Sequence, residues 1–266
     1  MKIKISISKI FTILALTIYY VPIVSLVAYS FNDARALNSW GGFSFRWYKH
    51  IAGDEALIRA FLTSLKIACV SASFSTIIGT WIAILIKKFN NLPGKTPLIV
   101  LVSLPFIIPE VILGSSMLLL FACIKKTTNL LDNAGILTVI LAHMIVGVAY
   151  VFITVWSRLQ NLDKSVEEAA MDLGASPFNV FRKITLPIIS KSIIVGWFIA
   201  FALSFDDVVI ASFVSGANST TLPMLIHSRI KTGLSPVINV LASLMLFSAL
   251  SVMMIIHIYK TKEKNN

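Results

Sequence analysis

The chain has 266 residues, of which 57% are hydrophobic and only 13% charged, with a formal net charge of +11 and a mean hydropathy of +0.86. Soluble domains run at about 45–50% apolar and about 25% charged, so this composition excludes an ordinary water-soluble fold. The basic residues lie mostly in short segments between apolar runs, which assigns the charge to membrane topology rather than to nucleic-acid binding.

A spanning helix needs about 20 mostly apolar residues. In chain order, six segments qualify: 9–31, 58–86, 97–121, 135–157, 191–213 and 236–259. They are too long and too continuously apolar for barrel strands, so the expected class is an all-α membrane protein of six transmembrane helices forming one domain over 1–266. The first run follows Lys2, Lys4 and Lys9 and exceeds the roughly 7–15 residues of a signal-peptide core, so it reads as an uncleaved span. Arg59 and Lys66 enter the second span near its start, where long basic side chains can snorkel. Pro105 and Pro109 are expected to break or kink the third. Asp206 and Asp207 interrupt the fifth.

Basic residues concentrate at both termini and in the segments after the second and fourth spans, among them Lys87, Lys88, Arg158, Lys164, Arg182 and Lys183. The opposite loops hold fewer, such as Arg35, Arg46, Lys49, Lys125 and Lys126. The positive-inside rule therefore places both termini and the 158–190 loop in the cytosol. Trp40, Trp47 and Tyr48 fall in the first external loop, as an interfacial belt or a cover over a pore mouth.

The 158–190 loop carries the strongest local pattern. Ser165 and Glu168 fit a capping box, Gly174 suits a helix C-terminus, and Ser176-Pro177 supplies a new N-cap followed by proline at the first helical position. Phe178, Phe181 and Ile184 recur at helical spacing, and Pro187 is expected to stop the helix before the fifth span. The expectation is two short helices at the membrane surface. They would rest on lipid headgroups or dock another protein. Glu167, Glu168 and Asp172 would be repelled by anionic lipid, and the small residues Ala169, Ala170 and Gly174 permit close approach, so docking is favoured.

The run Glu168-Ala169-Ala170, Gly174, Ile184-x-Leu186-Pro187 resembles the EAA signature, E-A-A-x(3)-G-x(9)-I-x-L-P, of permease subunits of bacterial ABC importers. Every fixed position is matched. Further segments, including Phe45-Arg46-Trp47-Tyr48, Leu104-Pro105 to Val111 and Ser204-Phe205-Asp206-Asp207, are similar to the polyamine (putrescine or spermidine/putrescine) members of that family. The resemblance implies the type I importer permease fold in the bacterial inner membrane. It implies an ATPase dimer docked on Glu168, Ala169, Ala170, Gly174, Ile184, Leu186 and Pro187. A second, homologous permease and a periplasmic polyamine-binding protein complete the implied partners, with the bilayer and without nucleic acid. The chain would hold no cofactor, because ATP and magnesium belong to the partner ATPase, and it would not itself be an enzyme.

Acids inside spans are costly, about 2.5–3.5 kcal/mol for an aspartate at a helix centre, and usually face a cavity or a partner. Glu110, Asp206 and Asp207 qualify, with Ser204 as a neighbouring oxygen and Trp47 as a cation–π surface at the mouth. These five form the expected pathway for a cation. Asp206 and Asp207 diverge by about 100° on a helix, so one of them must meet a structural partner. The rival readings are an ion-coupled secondary transporter for a small organic cation and a non-transporting membrane scaffold.

Other chemistry is unsupported. Gly94-Lys95-Thr96 resembles the end of a P-loop, but Phe89 stands where its first glycine is required. His50, His143, His227 and His257 are isolated, and His143 reads as a core polar contact.

Overall fold

The computed structural model describes residues 7–35, 39–88, 94–128, 135–232 and 236–247. Among these, helices dominate, and the one β feature is an isolated bridge between Asn32 and Phe43. Five helices are long and apolar enough to cross a membrane: Phe11–Ser30, Glu55–Lys88, Glu110–Thr128, Ile136–Gln160 and Pro177–Asp206. The sixth expected span, 236–259, is described only as the helix Val237–Phe247, and the rest lies outside the described residues.

The chain divides into two compact units, Met1–Ile58 with Ile226–Asn266, and Arg59–Leu225. In the first unit, α1 (Ile7–Ser30) exposes most of its described apolar side chains, as a lipid-facing helix does. The loop after it is tightly folded around Asn32. That side chain donates to Ser39 O at 2.7 Å and accepts from Gly41 N at 2.8 Å. Phe31 stacks on Phe43 and Tyr48, Phe45 meets Phe31 and Phe43 edge to face, and α2 (Arg46–Ala52) follows. Asp54 then caps α3 (Glu55–Lys88), accepting from the amides of Ala56 and Leu57. Its other oxygen meets the Arg229 guanidinium at 2.8 Å. Burial alone would raise the Asp54 pKa. Arg229 and the two amides outweigh it and hold the carboxyl below its ordinary range.

The second unit is built on α3 and α6 (Ile136–Gln160). At 1.5 Å per residue the 34-residue α3 is about 51 Å long, well beyond a hydrocarbon core of about 30 Å. The expected third span, 97–121, is instead two helices. α4 (Lys95–Ile107) stops at Ile108, whose backbone is extended, and α5 (Glu110–Thr128) starts after Pro109. The proline forces this: it pushes the preceding residue out of helical geometry and has no N–H to continue the ladder.

The 158–190 loop also departs from expectation at two points. The cap of α7 (Lys164–Asp172) is Asp163, whose carboxylate accepts from Ser165 N at 3.0 Å, in place of a Ser165–Glu168 box. Pro187 does not end a helix either. α8 (Pro177–Val180) passes through one π turn, Phe181–Thr185, directly into α9 (Leu186–Asp206). The wider π turn accommodates the ring and missing N–H of Pro187, which a regular α-helix would not. The fifth expected span, 191–213, thus begins earlier and divides at Asp207-Val208 into α9 and α10 (Val209–Val214). α11 (Leu222–Thr232) starts with Leu222 N donating to the buried Ser64 hydroxyl at 2.7 Å.

In lipid, apolar burial does not drive helices together; close packing and polar contacts do. The unit follows that rule. A Cβ on Gly147 would collide with Ser75 Oγ, and one on Gly79 would sit 2.9 Å from Val148 O. These glycines let α3 and α6 touch backbone to side chain, and Ser75 Oγ donates to Met144 O at 3.1 Å across the contact. One apolar cluster joins α3, α6 and α9 through Ala83, Ile86, Phe152, Val155 and Ile189. A second joins α3, α5, α6 and α10 through Ile67, Leu113, Val139 and Ile210.

Candidate functional site: an acid-lined cleft and a capped helix pair

Between the two apolar clusters runs a polar chain. Ser71 donates to Ser204 at 3.0 Å, and Ser204 lies 2.6 Å from His143 Nδ1. His143 Nε2 lies 3.1 Å from an Asp207 carboxylate oxygen. One direction satisfies every atom: Ser204 donates to Nδ1, and Nε2–H donates to the carboxylate. The two oxygens of Asp207 also accept from Ile210 N at 3.2 Å and Ala211 N at 2.7 Å. Asp207 is therefore the cap that closes the break between α9 and α10. Ser71, His143 and Ser204 are all buried. Thr138 Oγ1 fixes the far end of α10 by donating to Val214 O at 2.7 Å.

A cleft of about 280 Å³ opens beside this chain. Both helix breaks border it, at Ile108-Pro109 and at Asp207, and Glu110, His143, Tyr150 and Ser204 contribute its polar groups. Irregular backbone at membrane depth is tolerated where it lines a cavity, which is the arrangement here. Glu110 and Asp207 make the lining acidic, and among the described residues no lysine or arginine joins it.

Of the residues expected in the pathway, the structure brings Glu110, Ser204 and Asp207 to this cleft. Asp206 is exposed and absent from the lining, because the chain leaves helical geometry just after it. Trp47 belongs to the other compact unit, buried beneath the Arg46 guanidinium at 5.3 Å. Tyr150 joins the cleft without having been selected from the sequence, and His143, expected as a core polar contact, is one that also borders the cleft. Their only sequence signal was a polar or amphipathic side chain on an otherwise apolar span.

The second site is the α7–α8 pair. Gly174 has φ +84°, and Gly174 N donates to Met171 O at 2.9 Å while Ala175 N donates to Ala170 O at 3.0 Å. That is a Schellman turn, with glycine at the left-handed position. Ser176 then caps α8, accepting from Asn179 N. Glu168, Ala169, Gly174 and Pro187 are exposed, and Ala170 and Ile184 are half-buried. Leu186 turns inward against the α3–α6–α9 cluster. Glu167 ties the pair to its surroundings. It accepts from Thr185 Oγ1 at 2.6 Å and faces Lys87 Nζ at 3.8 Å. Leu173, 90% exposed, and Phe178, 68% exposed, project from the turn region as bare apolar side chains.

Interrupted spans around an acidic cleft, together with a rigidly capped helix pair at one end, define a multi-pass membrane transport subunit. The family described as "Binding-protein-dependent transport system inner membrane component" matches residues 75–261, and the chain belongs to it. The putrescine transport system permease protein PotI of Escherichia coli (strain K12) is 45% identical over 88% of this chain and 83% of its own length. The spermidine/putrescine transport system permease protein PotC of Haemophilus influenzae is 35% identical over 92% of this chain and 93% of its own. A crystal structure of a bacterial ABC transporter that imports the acidic polysaccharide alginate shares the fold. Its TM-score is 0.72 at 17% identity, covering 96% of this chain and 92% of that one.

Proposed function

We propose that this chain is one of two permease subunits of an ATP-driven importer that moves a polyamine, putrescine in the first place, into the cytosol. The observation that carries the proposal is the cleft: a cavity between apolar helices with Glu110 and Asp207 in its lining and, among the described residues, no lysine or arginine suits a cationic cargo. The 45% identity to the putrescine permease PotI, against 35% to PotC, favours putrescine over spermidine.

In this reading the lysine-rich ends and the 158–190 loop face the cytosol. An ATPase dimer, which binds ATP and magnesium, seats on the α7–α8 pair. Glu168, Ala169, Ala170 and Gly174 form the approach surface, Leu173 and Phe178 supply apolar contacts, and Ile184, Leu186 and Pro187 connect it to α9. Because α8 runs without a break into α9, movement of the pair reaches the Asp207 break as a rigid-body displacement. A homologous permease completes the pore, and a periplasmic polyamine-binding protein delivers the cargo.

The test is uptake of radiolabelled putrescine into proteoliposomes containing this chain, its partner permease and the ATPase, with the binding protein inside or outside. Uptake should require ATP and the binding protein, and Glu110→Asn should impair it without loss of assembly. Uptake driven by an ion gradient with the ATPase omitted would establish a secondary transporter instead. A complex that assembles but moves no amine would reduce the chain to a scaffold.

A further inference from the structure

The cleft's polar groups are not equivalent. Ser204 is occupied by Ser71 and His143, and both ring nitrogens of His143 are bonded. Asp207 already accepts from two amides and faces the imidazole. Two groups of the lining remain without a hydrogen-bond partner among the described residues: the Glu110 carboxylate and the Tyr150 hydroxyl. The Tyr150 ring packs edge to face with Phe106, centroids 5.0 Å apart at 65°, and Phe106 also lines the cleft.

We propose that Glu110, Tyr150 and Phe106 form a primary-ammonium site within the cleft, and that Asp207 is a closed structural cap which does not bind the cargo. The inference rests on the reading of the cleft as a cation pathway. A primary ammonium presents three N–H donors and no acceptor. The carboxylate and the phenol oxygen take two of them, and the faces of the two rings attract the remaining charge. Ligand pockets for drug-sized molecules run from about 300 to 1,000 Å³, so this cleft is sized for a slim chain end. The chemistry also suits transport. A passing ion must be held firmly enough to enter and loosely enough to leave. A single carboxylate, supplemented by aromatic faces in place of a second free acid, meets both demands.

The experiment uses the complete reconstituted importer and reads putrescine taken up per ATP hydrolysed. Glu110→Gln should lower this ratio about tenfold or more. Tyr150→Leu and Phe106→Leu should each lower it about three- to tenfold, with Tyr150→Phe in between. Replacing Phe106 by mono-, di- and trifluorophenylalanine should lower it stepwise, because fluorine withdraws charge from the ring face while barely changing its shape. A flat fluorination series, with Tyr150→Phe at the wild-type ratio, overturns the aromatic site while Glu110→Gln still fails; the pathway reading then survives alone. A wild-type ratio in Glu110→Gln overturns both. Where Tyr150→Leu does not assemble, Tyr150→Phe and the fluorinated series decide.

Discussion

Replacing Gly174 isolates one physical term. Its φ of +84° lies in the left-handed region, and a Cβ placed there would meet nothing within 4 Å. The cost of Gly174→Ala is therefore the local backbone cost of the left-handed conformation, with no clash against the rest of the chain. For an L-residue it is about 1–2 kcal/mol. That amount shifts the population of the Schellman turn about 5- to 30-fold. The bonds at risk are Gly174 N to Met171 O and Ala175 N to Ala170 O, which set the angle between α7 and α8. Asparagine tolerates this region better, so affinity should fall in the order Gly174, Asn, Ala, Val. The assay is ATPase binding to vesicles carrying each variant, alongside limited proteolysis at Leu173. Gly174→Ala should weaken ATPase binding about 5- to 30-fold and speed cleavage. Asparagine no better than alanine would refute the backbone argument. Faster cleavage with unchanged ATPase affinity would refute the docking role of the turn.

Four other substitutions, one of them a control, follow from the packing and the charges. Gly147→Ala forces a methyl onto Ser75, 2.9 Å from its Cβ and 3.4 Å from Ala200 Cβ, and should cost about 1–3 kcal/mol, seen as a lower unfolding midpoint in detergent. Gly53→Ala, whose Cβ would lie 3.7 Å from His50 O, should leave the midpoint unchanged. His143→Ala strands the Ser204 hydroxyl and removes a donor from Asp207, a loss of about 1–3 kcal/mol. Hydrogen exchange at Ile210 and Ala211 should accelerate in that variant if the imidazole steadies the cap, and stay unchanged if it does not. Asp54→Asn tests the cap of α3. The folded Asp54 carboxyl is held below its unfolded value, so its stabilisation is complete above about pH 4 and fades as pH falls through the folded value. The difference in thermal midpoint between Asp54→Asn and the natural chain should be present at pH 7 and shrink toward pH 3. A constant difference across that range would locate the effect in side-chain packing instead of ionisation.

What the sequence determined by itself was everything decided by neighbours a few residues away. Apolar length sets the helices, because a span must satisfy its own backbone in lipid. Pro109 sets the break before Glu110, and Gly174 followed by Ser176-Pro177 sets the turn between α7 and α8. The EAA pattern is likewise local, and it named the loop on which coupling is proposed to rest. Tertiary structure decided the rest. Pro187 was expected to stop a helix, yet a π turn absorbs it, and packing of Thr185 and Ile189 into the surrounding helices holds that turn. Among the acids, the order along the chain could not tell Asp206 from Asp207. That choice depends on His143, 64 residues away, and on the amides of α10. Glu167 holds the α7–α8 pair through Thr185 and Lys87, although Glu168 carries the signature. Gly147 matters because Ser75 and Ala200, far away in sequence, lie against it. Local preferences write helices, caps and breaks. Which side chain faces the cleft follows from how distant helices pack, and that is energetics no short segment contains.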